Sequence, residues 1–311
     1  MPEILYLIDG HALAYRTYFA LTAGGSAFAG WATSSGEPTA GIYGFTSVLL
    51  RILEQENPDY LAAAFDTGKT FRHEHYDGYK ATRAKMPDDL KPQVKRMQQM
   101  VDAFNIPRLE VENFEADDVL GSLAIWASQE KGLGVKIITG DRDLFQLVTS
   151  RVVVSLPTSR LSDSEDYFPE DVKRKLGVFP EQVVDYKALV GDSSDNIPGV
   201  RGIGQKTAVA LLEEYKTLDN IYKNLDHITG RALTPLVNEK ENAYLSQYLA
   251  QIVTTLDIKL DLDQARPDRF DPGVVEKLFR ELEFRTLMTR LSNVVKKLNP
   301  VNNQGQQLAL F

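Results

Sequence analysis

The sequence contains no cysteine. That excludes a disulfide framework, a thiolate zinc site and a cysteine nucleophile. Histidine is scarce too, with four scattered residues, too few for a His-rich metal cluster. No apolar run approaches the ~18–20 residues that cross a bilayer. The N-terminal run Ile4–Ile8 is too short for a secretory signal, and no basic residue precedes it. The expectation is a cytoplasmic protein with no membrane partner. A basic excess is also missing: 35 Lys and Arg against 43 Asp and Glu give a net charge of −8. Taken alone, that argues against a nucleic-acid partner. The rest is ordinary for a globular chain, with 43% apolar and 25% charged residues. A length of 311 residues suggests two domains of about 150 residues each.

The first half alternates between strand-like and helix-like patterns. Ile4–Ile8, Tyr60–Phe65, Val135–Ile138 and Val152–Leu156 are short apolar runs suited to buried strands. Tyr43–Glu54, Lys91–Phe104 and Ala116–Glu130 have helical periodicity between them. This alternation predicts an α/β fold with a parallel sheet. Residues 22–41, rich in small residues, read as a loop. Beyond about residue 160 the strands are expected to stop, and Glu181–Val190, Thr207–Tyr215, Glu239–Leu256 and Gly273–Leu298 read as helices. The expected division is 1–160, 161–298 and a polar tail, 299–311.

Three predicted strands lead directly into aspartates: Asp9, Asp66 and, after Thr139 and Gly140, Asp141. Ligands of open α/β sheets bind at the carboxyl ends of strands, so three such acids can share one site. Others come in tight motifs: Glu115, Asp117 and Asp118 opening a helix, the Asp141/Asp143 pair, and the Asp192/Asp195 pair. Any one of these motifs alone is more commonly a cap or a solvated face. Nine carboxylates together would repel one another and need cations, and hard oxygen donors select Mg²⁺ or Mn²⁺. Two such ions roughly 3.5–4 Å apart suit phosphodiester hydrolysis. Setting the nine acids aside turns −8 into +1, and a nucleic-acid partner is no longer disfavoured.

The segment 69–96 carries eight basic residues against four acidic, with Phe71, Tyr76 and Tyr79 interleaved. Charges that follow phosphates and rings that stack on bases suit single-stranded nucleic acid. A solvated helix face is the plainer reading, but this run begins directly after Asp66. Further on, Gly199, Arg201, Gly202, Gly204 and Lys206 lie between two helical patterns. Glycines permit close backbone approach, and the next helix offers free N–H groups to a phosphate. The stretch fits neither the P-loop, because Gln205 intervenes before Lys206, nor the dinucleotide fingerprint, because the glycine order is reversed. It resembles a helix–hairpin–helix element that grips duplex backbone.

Taken together, Ile8-Asp9-Gly10-His11, Ala64-Phe65-Asp66, Tyr79-Lys80-Ala81-x-Arg83, Phe114-Glu115-Ala116-Asp117-Asp118, Thr139-Gly140-Asp141-Arg142-Asp143-Leu144 and Gly191-Asp192-x-Ser194-Asp195-Asn196-Ile197-Pro198-Gly199 resemble, in order, the 5′-nuclease domains of bacterial DNA polymerase I, within the flap endonuclease superfamily. The resemblance covers roughly residues 3–295. It implies a PIN-like parallel-sheet core with a helical arch at about 67–96, plus a helical helix–hairpin–helix subdomain. It implies Mg²⁺- or Mn²⁺-dependent cutting of DNA at 5′ flaps and 5′ ends, and of RNA primers, in replication and repair. Carried over by position, Asp9, Asp66, Glu115 and Asp117 would surround one metal. Asp141, Asp143 and Asp192 would surround a second, with Asp118 and Asp195 behind them. Arg72, Lys80 and Arg83 would touch the scissile or adjacent phosphates, and Tyr79 would stack on a base. The hairpin would hold a K⁺ ion through backbone carbonyls near Gly199, Val200 and Ile203. The implied setting is the bacterial nucleoid. The implied partners are duplex DNA with a 5′ flap or nick, a DNA polymerase domain and the sliding clamp, met by a monomer. Gln307, Leu308, Leu310 and Phe311 resemble a clamp-binding peptide, an apolar docking mode.

Three other classes stand beside the nuclease. A binding module without catalysis conflicts with the full set of acids. PIN-type ribonucleases share the acids but are shorter and lack the hairpin. A phosphoaspartate phosphatase needs a second Asp two residues after the first, where this chain has His11.

Overall fold

The computed structural model describes residues 3–22, 30–158 and 164–298. Elements are numbered in chain order. Strand β1 (Ile4–Asp9) runs into α1 (Gly10–Thr22), and α2 (Ala40–Arg51) continues as a wider turn through Ile52–Glu56 into β2 (Tyr60–Ala64). A five-residue helix, α3 (Phe71–His75), precedes α4 (Leu90–Ala103), β3 (Arg108–Leu109), α5 (Ala116–Ile125) and β4 (Gly134–Ile138). Strands β5 (Val152–Pro157) and β6 (Ser164–Tyr167) complete the sheet. Helices α6 (Pro169–Leu176), α7 (Val183–Val190), α8 (Gln205–Tyr215), α9 (Leu218–Lys223), α10 (Leu233–Asn238) and α11 (Lys240–Ala250) follow. Helices α12 (Pro272–Glu281) and α13 (Arg285–Leu298) end the described chain.

The sheet order is β3-β2-β1-β4-β5-β6, parallel except for β6, which pairs antiparallel with β5. Successive side chains of β1 point to opposite faces. Leu5 and Leu7 enter a core shared with α5, α7 and α8, while Tyr6 and Ile8 enter one shared with α1, α2, α4, α12 and α13. Both faces are covered, so the strands read as unbroken apolar runs instead of alternating ones.

Six features differ from the sequence reading. Strands continue past residue 160, because β6 borders β5. Helix α1 went unread: it starts directly from Asp9, with no acid in its first turn, and carries apolar and small residues on more than one side. The pattern from Glu239 ends at Ala250, where Gln251 turns extended. The pattern from Gly273 is two helices, parted at Glu283, whose φ of 58° is left-handed. These last two helices pack against α2, the turn that follows it and α4, which cover one face of the first-half sheet, and not with the helices that precede them. Residues 90–96, counted with the arch, are the first half of the core helix α4. The segment before them, 67–89, holds only the short α3 and a run of hydrogen-bonded turns.

Candidate active site

The parallel topology sends β1, β2 and β4 out at the same edge of the sheet, and each delivers an acid there. Asp9 ends β1; its carboxylate accepts from Ala12 N at 2.9 Å and from Thr139 Oγ1 at 2.8 Å. Asp66 lies two residues beyond β2 and accepts from Ala116 N at 2.8 Å, which ties it to the start of α5. Asp141 lies three residues beyond β4; its N–H donates to Thr139 Oγ1 and its carboxylate accepts from Asp143 N. Glu115 sits just before α5, and Asp117 in its first turn, where the helix dipole favours negative charge.

Asp192 and Asp195 arrive on a loop closed by two glycines. Asp192 and Ile197 exchange backbone hydrogen bonds at 2.9 and 2.8 Å. Gly191 and Gly199 lie back to back at φ 73° and 65°, and a Cβ on Gly199 would stand 2.3 Å from Gly191 N. Only glycine fits there. The loop is pinned further by Gly199 N donating to Ser246 Oγ at 2.9 Å.

Seven of the acids line two adjoining clefts. One, of about 440 Å³, holds Asp9, Asp66, Glu115, Asp117 and Asp141 beside Lys80 and Arg83. The other, of about 910 Å³, holds Asp141, Asp143 and Asp192 beside Arg83 and Lys187. Asp141 and Arg83 belong to both. Burial, then the charges of Asp66 and Asp141, push Asp9 up to about 7. Burial and Asp141 push Asp143 up to about 8 although Lys187 opposes them. Withdrawal from water, then Asp141 and Asp9, also raise Asp117. For Asp192 burial works upward, but Lys187 outweighs it and holds the carboxyl at about 2. The cluster carries more negative charge than its own cations offset.

Arg83 and two lysines supply those cations. Lys80 Nζ donates to Glu115 at 2.6 Å. Lys187 Nζ bridges Asp143 and Asp192, the latter at 2.6 Å. The sequence reading missed Lys187. Its signal was a single cation in the otherwise apolar end of Val183–Val190, five residues before Asp192. Among the described residues no three acidic or imidazole groups stand close enough together to enclose a metal ion. The donor chemistry nevertheless fits hard divalent cations: all-oxygen, crowded and with protonation favoured over repulsion.

Four assigned residues are buried and held by other protein groups. Arg72, expected at a phosphate, is 2% exposed. Its guanidinium makes a bidentate pair with Asp118 at 2.7 and 2.8 Å and donates to the carbonyls of Leu249 and Gln251. Asp118, expected behind the metal acids, is fully buried; besides Arg72 it accepts from Glu115 N and Val253 N. Burial opposes the charge of Arg72, but Asp118 more than compensates and raises its pKa. Tyr79, expected to stack on a base, is 4% exposed, its hydroxyl donating to Glu115 and Asp195. Asp195 is likewise buried and holds Arg83 and Lys80, so it braces the cationic segment from behind. Lys80 itself has a left-handed φ of 56°, fixed by its N–H donating to Asp195 O at 2.9 Å. That conformation costs a non-glycine residue roughly 1–2 kcal/mol.

In the hairpin, Val200 and Ile203 are buried while Arg201, Gly202, Gly204 and Lys206 are exposed, and α8 opens just after Gly204. Gln307, Leu308, Leu310 and Phe311 lie outside the described residues. Among those described, no helix is long and apolar enough to cross a membrane.

Comparison with known families decides the kinship. Residues 4–177 match the 5′-3′ exonuclease N-terminal resolvase-like domain, and residues 178–273 match the 5′-3′ exonuclease C-terminal SAM fold. The chain belongs to the 5′-3′ exonuclease family. This is a family of nucleases. DNA polymerase I of Chloroflexus aurantiacus is 44% identical over 96% of this chain and 31% of its own length. DNA polymerase I of Bacillus subtilis is 40% identical over 92% of this chain and 32% of its own. The chain thus spans about a third of the curated relatives it matches. Among solved structures, a bacteriophage T5 flap endonuclease variant in a pseudo-enzyme-product complex with DNA and metal ions superposes with a TM-score of 0.63. It is 21% identical and covers 91% of this chain and 98% of its own. T5 5′-exonuclease with bound zinc gives a TM-score of 0.62 at 23% identity, covering 91% of this chain and 99% of its own. At these identities the likeness is one of fold.

Proposed function

We propose that the chain is a structure-specific 5′ nuclease. It hydrolyses phosphodiester bonds at 5′ flaps and 5′ ends of DNA, and of RNA primers paired to DNA, in replication and repair. One observation carries the reading: seven carboxylates from separate segments line two clefts that meet at Asp141, with Lys80, Arg83 and Lys187 beside them. That arrangement matches a phosphodiester between divalent ions.

Asp9, Asp66, Glu115 and Asp117 would hold one Mg²⁺ or Mn²⁺, and Asp141, Asp143 and Asp192 a second, with Asp117 or Asp141 shared. Such ions would supply Lewis-acid stabilisation of the phosphoryl oxygens and make water a better nucleophile. The chain's own residues supply the rest. Lys80 and Arg83 exchange carboxylate partners for phosphate oxygens as the strand enters, which adds positive charge where the transition state is negative. Asp195 and Tyr79 hold that cationic segment over the cleft. Water oxygen bonds to phosphorus, the bond from phosphorus to the 3′ oxygen breaks, and the products are a 5′-phosphate and a 3′-hydroxyl. The exposed hairpin, with Arg201, Lys206, the glycine backbone and the α8 N-terminus, takes duplex phosphates without reading bases, and the backbone carbonyls near Gly199, Val200 and Ile203 would hold a K⁺ ion. A DNA polymerase region is the natural partner, since the curated relatives are DNA polymerases, and the clamp-like Gln307, Leu308, Leu310 and Phe311 add a sliding clamp.

The test is Mg²⁺-dependent cutting of a labelled 5′-flap substrate, set beside a 3′ flap and plain single strand. Cutting near the 5′-flap junction is expected, and Asp141→Ala abolishes it while leaving a folded protein. A product carrying a 3′-phosphate, or a mutant that still cuts, defeats the proposal.

A further inference from the structure

Helix α1 leaves the acidic cleft carrying three rings on one side. His11, Tyr15 and Phe19 are spaced four apart and therefore lie one above another on the helix surface. His11 and Tyr15 line the cleft that holds Asp9 and Asp66. Phe19 lies beyond it and is 52% exposed, although it is one of the largest apolar side chains in the protein. It is not a loose surface ring. Its plane is within 20° of that of Tyr15, with centroids 6.3 Å apart, and it meets Tyr18 edge-on at 5.2 Å. Tyr18 is itself buried and anchored, its hydroxyl donating to Asp89 at 2.8 Å. The helix therefore presents a braced, nearly parallel pair of rings that continues the wall of the cleft.

The surroundings favour a polyanion. Lys80, Arg83 and Met86 line the same cleft, and Lys85 is exposed beside them. Cations that follow a backbone, next to ring faces that any base can cover, are the features of a sequence-independent single-strand surface. We infer that the His11–Tyr15–Phe19 side of α1 is a stacking track for the 5′ single strand, with Phe19 as its outer platform. The inference rests on the reading of the cleft as the cutting site, from which the strand leads away. Eight residues of helix rise about 12 Å, the length of three to four bases stacked at about 3.4 Å. Binding should thus tighten with flap length and level off near four nucleotides.

The experiment uses the Asp141→Ala chain, so that nothing is cut, and nicked duplexes carrying 5′ flaps of zero to eight nucleotides. Phe19→Ala is expected to weaken binding of a four-nucleotide flap about ten-fold, within the range for loss of one base–ring stack. The flapless nick should be bound unchanged. Phe19→Trp should keep the affinity, and Phe19→Leu, apolar but without a ring face, should behave like Phe19→Ala. 2-Aminopurine in the outer flap should be quenched by the parent and the Trp variant only. The track is refuted if Phe19→Ala binds every flap length as the parent does, or if Phe19→Leu matches the parent in both readouts. Circular dichroism melts check that each variant is folded. If the chain with Asp141 intact neither prefers flaps nor cuts them, the nuclease reading fails as well, and that outcome is distinct from intact cutting with Phe19 silent.

Discussion

Replacing Arg72 separates two roles that the sequence could not distinguish. If Arg72 contacts phosphate, Arg72→Ala should spare stability and cost activity. The structure dictates the reverse emphasis. The substitution removes two charge-assisted bonds to Asp118 and two bonds to the carbonyls of Leu249 and Gln251, and it leaves the fully buried Asp118 charge without its partner. Breaking one side of a buried pair costs about 3–5 kcal/mol. At about 2–4 °C per kcal/mol for a chain near this size, the midpoint should fall by roughly 6–20 °C. Asp118→Ala should cost a similar amount, and the double mutant should cost much less than the sum of the two, because no charge is then stranded. Urea and thermal unfolding of the four proteins give the coupling directly. A single mutant within about 1 kcal/mol of the parent, or costs that simply add, would falsify the structural account and return Arg72 to the phosphate.

Other consequences are as direct. Asp9 and Asp143 titrate well above their ordinary range. Without divalent cations, stability should therefore be highest in mild acid and fall as pH rises from about 4 to about 8, by at most about 4 kcal/mol for Asp9 alone. Added Mg²⁺ should recover that loss, and a flat profile with and without the ion would count against a metal at these acids. Lys187→Met should release Asp192 from its depressed value; stability that the parent keeps above the unfolded value and loses as pH falls toward about 2 should be lost at higher pH in the mutant. Denaturation titrated from pH 6 to pH 2 reads this shift. Gly199→Ala should distort the loop that carries Asp192 and Asp195 by pushing a Cβ into Gly191. It should lower both the melting point and flap cutting, whereas Gly204→Ala, with open space at its Cβ, should leave the melting point nearly unchanged.

The parallel sheet and its acids could be read from the chain because both obey local rules. Apolar runs such as Ile4–Ile8 end in aspartates, and strand-end chemistry in a parallel sheet collects at one edge. What escaped depended on distant partners. Arg72 and Asp118 are 46 residues apart, and nothing near either one announces that they neutralise each other inside the protein. Tyr79 sits in a basic stretch that looks solvent-facing, yet its hydroxyl is used by Glu115 and Asp195. Lys187 read as part of an ordinary helix because its two carboxylates come from a 3₁₀ turn and a glycine-closed loop. Helix α1 was hidden by its composition, since Gly10, Ala12 and Ala14 blur the apolar stripe.

The return of α12 and α13 to α2 and α4 has a bearing on how the chain reaches its fold. Arg290 pairs with Glu54 at 2.7 Å across 236 residues, and Leu287, Leu291 and Val294 join the core formed around Phe45 and Leu49. The helices from α6 to α11 are therefore nested between parts of one layer instead of being appended after it. Chains grow from the N-terminus, so the apolar surface of α2 and α4 that these helices cover stays exposed to aggregation until the last two helices emerge. A fragment stopped at residue 273, where the second family match ends, would keep every acid and the whole hairpin and yet have an unsealed core. The unit that carries the chemistry is thus shorter than the unit that folds.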